Sequence, residues 1–266
     1  MLPRALTIAG SDPSGGAGIQ ADLKTFTVFG VYGMSAITAL TAQNTRGVSG
    51  IQTVPAEFVR RQIDAVASDI GIDAAKTGML PTAEIVRTVA AAVRAHRLAP
   101  LVVDPVMRAT SGDALCDADV RAALLGELIP LAALVTPNTH EATALTDVRI
   151  QSLDDMRAAA RGLIARGARA VLVKGGHLEG DAVDILDDGL DVRELRAPRV
   201  STPHTHGTGC QLSAAITAGL AAGLPLLAAV ERAKQFITAA IRDGLAIGHG
   251  SGPANPLAWL GDRRSS

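Results

Sequence analysis

Aromatic side chains are scarce in this sequence: the 266 residues include one Trp, one Tyr and four Phe, together 2% of the chain. Apolar residues nevertheless make up 48% of the chain, and charged residues only 19%. This composition supports a sizeable hydrophobic core and excludes a disordered chain. Because aromatic rings are so few, that core must be built from Ala, Leu, Val and Ile.

Cysteine and excess charge are also missing. The two cysteines, Cys116 and Cys210, are too few for a disulfide framework or a cysteine metal cluster. The formal net charge is −1, and Lys and Arg are scattered along the chain rather than gathered in one stretch. Binding to nucleic acid is therefore not expected.

One long uncharged run raises the question of a membrane segment. Residues 207–230 carry no charged side chain, which is long enough for a membrane span. Pro225, several glycines and polar side chains such as Gln211 instead predict two consecutive buried helices. At the N-terminus a strand-like segment follows the first residues directly, with no secretory apolar region. We expect a cytoplasmic protein that makes no membrane contact.

Short apolar runs alternate with amphipathic segments along almost the whole chain. Strands are predicted at 6–10, 32–43, 73–77, 101–106, 133–136 and 170–173, with a hairpin over 183–195. Helices are predicted at 19–29, 55–69, 82–96, 119–128, near 141, at 154–166, and from 209 to about 247, before a loosely ordered tail. The alternation predicts an α/β fold with a mostly parallel central sheet and helices on both faces. No linker or repeat divides the sequence, so we expect one domain over residues 1–266.

Glycines and polar residues follow the predicted strands at their carboxyl ends. In open α/β sheets, ligands bind beyond these ends of the strands. The residues that this arrangement collects at one edge are Gly10, Gln43, Gly78, Met79, Asp104, Asn138 and Lys174. We therefore expect a functional site at that edge.

The turn Gly207-Thr208-Gly209-Cys210 precedes a predicted helix and is a candidate anion site. Backbone N–H groups at a helix N-terminus lack partners and point toward the positive end of the helix dipole, where phosphate commonly binds. The alternative is an ordinary loop before a buried helix. The dinucleotide pattern G-x-G-x-x-A over residues 16–21 lacks the acidic partner of a ribose, and the sequence contains no G-x-x-x-x-G-K-[ST] motif. Any phosphate chemistry would therefore use the Gly207 turn.

Seven stretches together resemble a known family, the hydroxymethylpyrimidine/phosphomethylpyrimidine kinases of the ribokinase-like superfamily. They occur in the family's order over nearly the whole chain. They are AGSDPSGGAGIQADLKT at 9–25, TALTAQNT at 38–45, KTGM at 76–79, VDPVM at 103–107, TPNTHEA at 136–142, VKGGH at 173–177 and THGTGC at 205–210.

The resemblance implies a ribokinase-like three-layer α/β sandwich and an ATP-dependent kinase that uses Mg²⁺. It implies two reactions, from 4-amino-5-hydroxymethyl-2-methylpyrimidine (HMP) to its monophosphate and then to its diphosphate, and it implies a homodimer. One alternative is a pyridoxal or pyridoxine kinase, because that substrate is also a hydroxymethyl heteroaromatic ring. A second alternative is a non-catalytic pyrimidine-binding regulator on the same fold.

Catalysis is expected at Cys210 and the Gly207, Thr208 and Gly209 amides. Cys210 stands where sugar kinases of the superfamily carry an aspartate as general base. A cysteine at a helix N-terminus beside an anion site can have a lowered pKa, so we expect it to accept the hydroxymethyl proton. The alternative is a small buried thiol that fills space.

Magnesium is expected at Asp104 and Glu141, because one or two carboxylates typically hold Mg²⁺ in kinases. The alternatives are an Asx turn at Asp104 and a first-turn glutamate that stabilises its own helix at Glu141. The resemblance places ATP near Asn138, Lys174 and His206. His177 is also expected near ATP.

For the pyrimidine, the resemblance points to Gly10, Asp22, Gln43, Met79 and Val106. The carboxamide of Gln43 can donate to a ring nitrogen and accept from the neighbouring amino group, while Met79 and Val106 supply apolar walls. The plain alternative for Asp22 is a first-turn residue that stabilises its helix dipole. His204 replaces an asparagine that the family pattern leads us to expect.

Overall fold

One nine-stranded sheet runs through the molecule. A computed structural model describes residues 2–107, 118–176, 178 and 180–262. The strands are β1 (Arg4–Ser11), β2 (Tyr32–Asn44), β3 (Gly47–Thr53), β4 (Ala74–Thr77), β5 (Leu101–Val103), β6 (Leu134–Val135), β7 (Val171–Val173), β8 (Ala182–Asp187) and β9 (Val192–Ala197). Their order across the sheet is β3-β2-β1-β4-β5-β6-β7-β8-β9.

The centre of this sheet is parallel and its edges are antiparallel. Neighbouring strands from β2 to β7 pair in parallel. β3 pairs antiparallel with β2 at one edge, and β8 and β9 form an antiparallel pair at the other. The predicted mostly parallel sheet and the hairpin are therefore confirmed. The carboxyl ends of the parallel strands lie along one edge, where the candidate site residues were expected.

Helices alternate with the strands, as predicted. They are α1 (Gly18–Val28), α2 (Ala56–Asp69), α3 (Ala83–His96), α4 (Ala118–Ala123), α5 (Thr139–Thr146), α6 (Leu153–Ile164), α7 (Thr208–Ala221), α8 (Leu226–Arg242) and α9 (Ala258–Asp262). The helix predicted at 119–128 is α4 followed by a π-helical turn, Leu124–Leu128. The uncharged run covers α7 and the first five residues of α8, and a turn at Gly223 separates the two helices. Within the described residues, no helix has the length and apolarity that crossing a bilayer requires.

The core lies in two layers, one on each face of the sheet. Because neighbouring strand residues point to opposite faces, Val103 packs with helices α2 to α6, while Val102 packs with α7 and α8. α1 shares the second face, where Phe26 packs against Ala214 and Ala218 of α7. The three-layer sandwich with helices on both faces is therefore confirmed.

Three expectations of local structure are wrong. β3 was missed, because its exposed, glycine-containing sequence GVSGIQT shows no apolar face that would indicate a strand. Over residues 249–262 the tail is not loosely ordered: the N–H of Ser251 donates to Thr45 O, and Trp259 of α9 stacks on Phe29. The strand predicted at 101–106 also ends early, at Val103, where the chain turns and the Val106 N–H donates to Asp104 O.

Candidate active site

The turn before α7 has the geometry expected of an anion site. Gly207 has φ of +76°, and a Cβ at this position would overlap the carbonyl oxygen of Gly16. Only glycine fits such a left-handed and crowded position. α7 begins at Thr208, so the N–H groups of its first turn lie at the positive end of the helix dipole. A Cβ on Gly209 would lie 3.2 Å from Lys174 Nζ, which places this lysine opposite the turn.

Lys174 lies between two carboxylates, Asp104 and Glu141. Its Nζ is 3.0 Å from Asp104 Oδ1 and 3.9 Å from Glu141 Oε2. Ser213 of α7 donates to Asp104 Oδ2 at 3.1 Å, and Thr136 donates to Oδ1 at 3.2 Å. Asp104 therefore accepts hydrogen bonds from Thr136 and Lys174, which follow two neighbouring strands, and from Ser213 of α7. These contacts, rather than the alternative Asx turn, are the ones that the Asp104 carboxylate makes in the structure.

These charges shift one another's pKa values. Burial opposes ionisation of Asp104, but the ammonium groups of Lys174 and Lys76 outweigh it and hold the pKa of Asp104 below its usual value. Burial and the Asp104 charge raise the pKa of Glu141 to about 7, although Lys174 acts in the opposite direction. Burial also opposes the charge of Lys174, yet its two carboxylate neighbours raise the pKa of that lysine. The positive charge beside the Gly207 turn is therefore stable at neutral pH.

Glu141 also serves its own helix. The Asn138 side chain accepts from the Glu141 N–H at 2.9 Å, and Glu141 Oε2 accepts from the Asn138 N–H at 2.7 Å. This pair of bonds is a capping box that fixes the start of α5. The helix-stabilising alternative for Glu141 is therefore present in the structure, and the same carboxylate faces Lys174.

A magnesium ion would find few protein ligands here. In the described part of the chain, no group of three or more His, Cys, Asp and Glu side chains could hold a metal ion. Asp104 and Glu141 remain a chemically suitable pair of oxygen donors, since Mg²⁺ commonly takes one or two carboxylates and completes its shell with water and phosphate oxygens. The residues present fit an ion that arrives with a phosphate-bearing ligand.

A second buried ion pair, formed by Lys76 and Asp22, lies near Cys210. Asp22 was singled out by the sequence analysis, but Lys76 was not. Lys76 Nζ is 2.7 Å from Asp22 Oδ1, and neither side chain is exposed at all. The Thr7 hydroxyl donates to Asp22 Oδ2 at 2.6 Å. A lysine inside the apolar strand AAKT was the available signal, because buried lysines are almost always paired. Asp22 lies beyond the first turn of α1, so the interpretation as a first-turn dipole residue is wrong.

The predicted lowering of the Cys210 pKa is also wrong. Burial raises the pKa of this thiol to about 12, and the Asp22 and Asp104 charges act in the same direction. Lys76 and the Gly18 N–H lower it, but they do not compensate. The helix N-terminus by itself suggested a reactive thiolate; the carboxylates that the fold brings beside it were not visible in the sequence.

Two of the expected pyrimidine residues, Gly10 and Met79, lie close together. A Cβ on Gly10 would lie 3.2 Å from Met79 Sδ. A Cβ on Gly18, which has φ of +57°, would overlap the carbonyl oxygen of Gly10, so the β1–α1 loop is held close to the end of β1. Val106 is half-buried, one turn past Asp104. The structure therefore brings Gly10 and Met79 into contact with each other.

His206 lies on the Gln43 side of the site. Its Nε2 is 2.9 Å from Asp12 Oδ2 and 3.5 Å from the amide nitrogen of Gln43. Both His206 and Asp12 are buried. Asp12 was not singled out by sequence reasoning, although it lies in the motif at 9–25.

The described residues around Gln43 line a cavity of about 330 Å³ that is open to solvent. It is lined by Gln43, Asn44, Thr45, Arg46, Gly47, His206, Gly250 and Ser251. Of the expected pyrimidine residues, only Gln43 lines this cavity, and Cys210 does not line it. His204 binds the C-terminal segment: its Nδ1 accepts a hydrogen bond from the Gly252 N–H at 3.3 Å. His177 and Cys116 lie outside the described residues.

A three-layer fold with a glycine turn at a helix N-terminus, a lysine opposite it and two nearby carboxylates defines a class of protein: a phosphotransferase with a ribokinase-like fold. Solved structures agree with this class. A pyridoxal kinase from Bacillus subtilis, in an ADP complex, superposes with a TM-score of 0.92 at 40% identity, covering 98% of this chain and 99% of that one. A phosphomethylpyrimidine kinase from Clostridium difficile 630 has a TM-score of 0.81 at 44% identity, covering 90% and 99%.

The sequence comparisons identify the family more narrowly. The model of the family described as Phosphomethylpyrimidine kinase matches residues 12–255. A hydroxymethylpyrimidine/phosphomethylpyrimidine kinase from Streptomyces coelicolor is 50% identical over 260 residues, which is 98% of this chain and 96% of that protein. The chain belongs to the phosphomethylpyrimidine kinase family.

Proposed function

We propose that this protein phosphorylates HMP to HMP phosphate, and HMP phosphate to HMP diphosphate, with ATP as the phosphoryl donor. The observation that carries the proposal is the Gly207–Gly209 turn facing Lys174 at the carboxyl edge of the sheet. The Streptomyces relative is named for both activities, and the Bacillus relative was solved with ADP. One kinase domain over residues 1–266 is part of the proposal, supported by the single continuous sheet.

Phosphoryl transfer needs positioning and charge neutralisation more than covalent chemistry. In the proposed reaction the Gly207, Thr208 and Gly209 amides and the dipole of α7 stabilise the charge on the moving phosphoryl group. Lys174 neutralises the phosphate oxygens of ATP, with Asn138 on the nucleotide side. Asp104 and Glu141 would hold Mg²⁺, which supplies further charge neutralisation between phosphates when bound.

Cys210 is the proposed proton acceptor for the hydroxymethyl group in the first step. Burial raises the pKa of this thiol to about 12, so Cys210 must lose its own proton before it can accept one from the hydroxymethyl group. Lys76 is the nearby group that favours the thiolate, and a base role depends on this charge. The second step has a phosphate oxygen as acceptor, which is already ionised near neutral pH, so it needs no such base.

The pyrimidine is proposed to lie between Gln43 on one side and Met79 with Val106 on the other. The Gln43 carboxamide pairs with the ring nitrogen and amino group, while Gly10 allows close approach of the ring. Asp22 has both carboxylate oxygens engaged by Lys76 and Thr7, so its role is electrostatic support of the site. His206 stays in the proposal as a site residue on the Gln43 side.

The test is a product-resolved kinase assay with MgATP that offers HMP, HMP phosphate, pyridoxal and pyridoxine in parallel. Passage of HMP through its monophosphate to the diphosphate supports the proposal. Rapid turnover of pyridoxal with inert HMP phosphate would favour the pyridoxal kinase alternative, which the similarity to the Bacillus enzyme motivates. ATP binding without any phosphorylated product would favour the regulator. A cytoplasmic homodimer is also proposed, to be checked by cell fractionation and light scattering.

A further inference from the structure

The imidazole of His206 lies between a carboxylate and the carboxamide proposed to recognise the pyrimidine. Its Nε2 is 2.9 Å from Asp12 Oδ2 and 3.5 Å from the Gln43 amide nitrogen. His206 is 4% exposed and Asp12 is 3% exposed, so water competes little for these bonds. Whether His206 Nε2 carries a proton therefore affects which hydrogen bonds the Gln43 carboxamide can make to a ligand.

Asp12 can only accept hydrogen bonds here. Its Oδ1 accepts from the Ser14 N–H at 2.8 Å, and its Oδ2 accepts from the Ala17 N–H at 2.9 Å. Burial opposes ionisation of Asp12, but the bonds from His206 and Ser14 outweigh it and hold its pKa below the usual value. An ionised carboxylate has no hydrogen to give, so the ring nitrogen that faces it must carry one.

A protonated Nε2 cannot accept a hydrogen bond from Gln43. The Thr41 hydroxyl, which has one hydrogen to donate, lies 3.0 Å from Ser11 O and 3.2 Å from Gln43 Oε1, and the amide nitrogen of Gln43 is the atom that faces His206. At 3.5 Å two donors face each other, and the amide hydrogens are left for another acceptor. If Nε2 carried a lone pair instead, it would accept one of these hydrogens and compete with a ligand for it.

We propose that Asp12 is a positioning residue for substrate recognition: by fixing His206 as a donor at Nε2, it keeps the Gln43 amide available to a ring nitrogen of an aminopyrimidine. This inference rests on the proposed function, in which Gln43 pairs with the pyrimidine. The cavity of about 330 Å³ beside Gln43 and His206 adjoins the same carboxamide.

Asp12 also orders the loop between β1 and α1, and this second role must be separated from the first. Gln20 orders the same loop without using the imidazole: its Oε1 accepts from the Asp12 N–H at 2.9 Å, and its Nε2 donates to Ser11 Oγ at 2.7 Å. Gln20→Met is therefore a matched control for loop order.

The experiment compares KM for HMP, KM for ATP and kcat in Asp12→Asn, Gln20→Met, Gln43→Ala and the double variant Asp12→Asn/Gln43→Ala. We expect Asp12→Asn to raise KM for HMP by about tenfold, corresponding to a coupling in the usual range for residues in one network. KM for ATP should change by less than about threefold, and Gln20→Met should leave KM for HMP within the same limit. The double variant should have the KM for HMP of Gln43→Ala alone.

Equal increases in KM for HMP in Asp12→Asn and Gln20→Met, or additive losses in the double variant, would show that Asp12 acts through loop order and would overturn the proposal. A second measurement does not depend on turnover: ¹⁵N NMR of histidine-labelled protein should show His206 protonated at Nε2 in the wild type. An unprotonated Nε2 would overturn the proposal even if Asp12→Asn fails to fold. A wild type that does not phosphorylate HMP would count against the proposed function, while the ¹⁵N signal still reports the proton.

Discussion

At the scale of single residues, the site combines groups whose protonation depends on their neighbours. Lys76 carries no exposed surface, and its ammonium interacts with Asp22, Asp104 and Cys210. Burial opposes this charge, but these neighbours raise the pKa of Lys76 above its usual value. Removing one member of such a buried pair typically costs more than the pair contributes, because the other charge is left alone. Substitutions at Lys76 or Asp22 therefore test stability as much as chemistry.

Cys210→Ala should separate the two phosphorylation steps. The first acceptor is a neutral hydroxymethyl group, for which a positioned base contributes about 10²–10⁴-fold. The second acceptor is an ionised phosphate oxygen that needs no base, so its rate should fall by about tenfold or less. Single-turnover assays started from HMP and from HMP phosphate measure the two losses, with Cys210→Ser as a variant that keeps a hydroxyl in place. Equal losses in both steps would argue against a base.

Glu141 should make stability fall as the pH rises. Its folded pKa of about 7 lies above the unfolded value of 4.5, so the folded protein holds the proton more tightly. This contribution is fully present below about pH 4.5 and is lost as the pH rises through 7, an effect on the order of 3 kcal/mol. Urea unfolding at pH 5 and pH 8 should show a larger loss for the wild type than for Glu141→Gln. Parallel changes in the two proteins would show that another group is responsible.

At the scale of elements, the start of α7 is fixed by what packs against it. Gly16 and Gly207 approach each other too closely for any side chain, so the β1–α1 loop and the anion turn hold one another in place. The backbone N–H of His206 donates to Gly252 O, and its carbonyl accepts from the Ala254 N–H. Three separate chain segments therefore determine where the first turn of α7 points.

Gly207→Ala should impair catalysis far more than its backbone strain alone explains. Gly223 is a matched control: it has φ of +82° and no atom within 4 Å of a Cβ, whereas a Cβ at Gly207 overlaps Gly16. Gly223→Ala should cost about 1 kcal/mol of unfolding free energy with unchanged kcat. Gly207→Ala should lower kcat by about 10²-fold, the usual cost of displacing a charge-stabilising donor. Steady-state kinetics and urea titrations measure both; similar kcat values in the two variants would contradict this role of the turn.

At the scale of the whole molecule, the C-terminal segment connects parts of the fold that are distant in sequence. Ser251 bonds Thr45 at the end of the β2–β3 hairpin, and the Asn255 N–H donates to Ala240 O of α8. The ring of Trp259 stacks on Phe29 with a centroid distance of 5.6 Å, and Arg232 lies over both rings. In a chain with so few aromatic residues, this cluster anchors α9 to α8.

Trp259→Ala should therefore lower stability without changing the chemistry. The side chain is half-buried, so we expect a loss of about 2 kcal/mol, below the 3–5 kcal/mol typical of fully buried tryptophan. Trp259→Phe keeps a ring for Phe29 and should recover at least half of that loss. Thermal unfolding and the HMP assay give the two readings. A large fall in kcat with unchanged stability would show that the C-terminal segment acts on the site directly.

The sequence by itself determined the alternation of strands and helices, the parallel sheet, the glycine turn before α7 and the family, because periodicity and local motifs depend on residues that are near one another in the chain. The partners of Lys76 and Asp12 and the raised pKa of Cys210 were decided only by the tertiary structure. Lys76 meets Asp22 from 54 positions away, and Asp12 meets His206 from 194 positions away. Burial and electrostatic pairing depend on which strand ends the sheet order brings together, and no local pattern records that order.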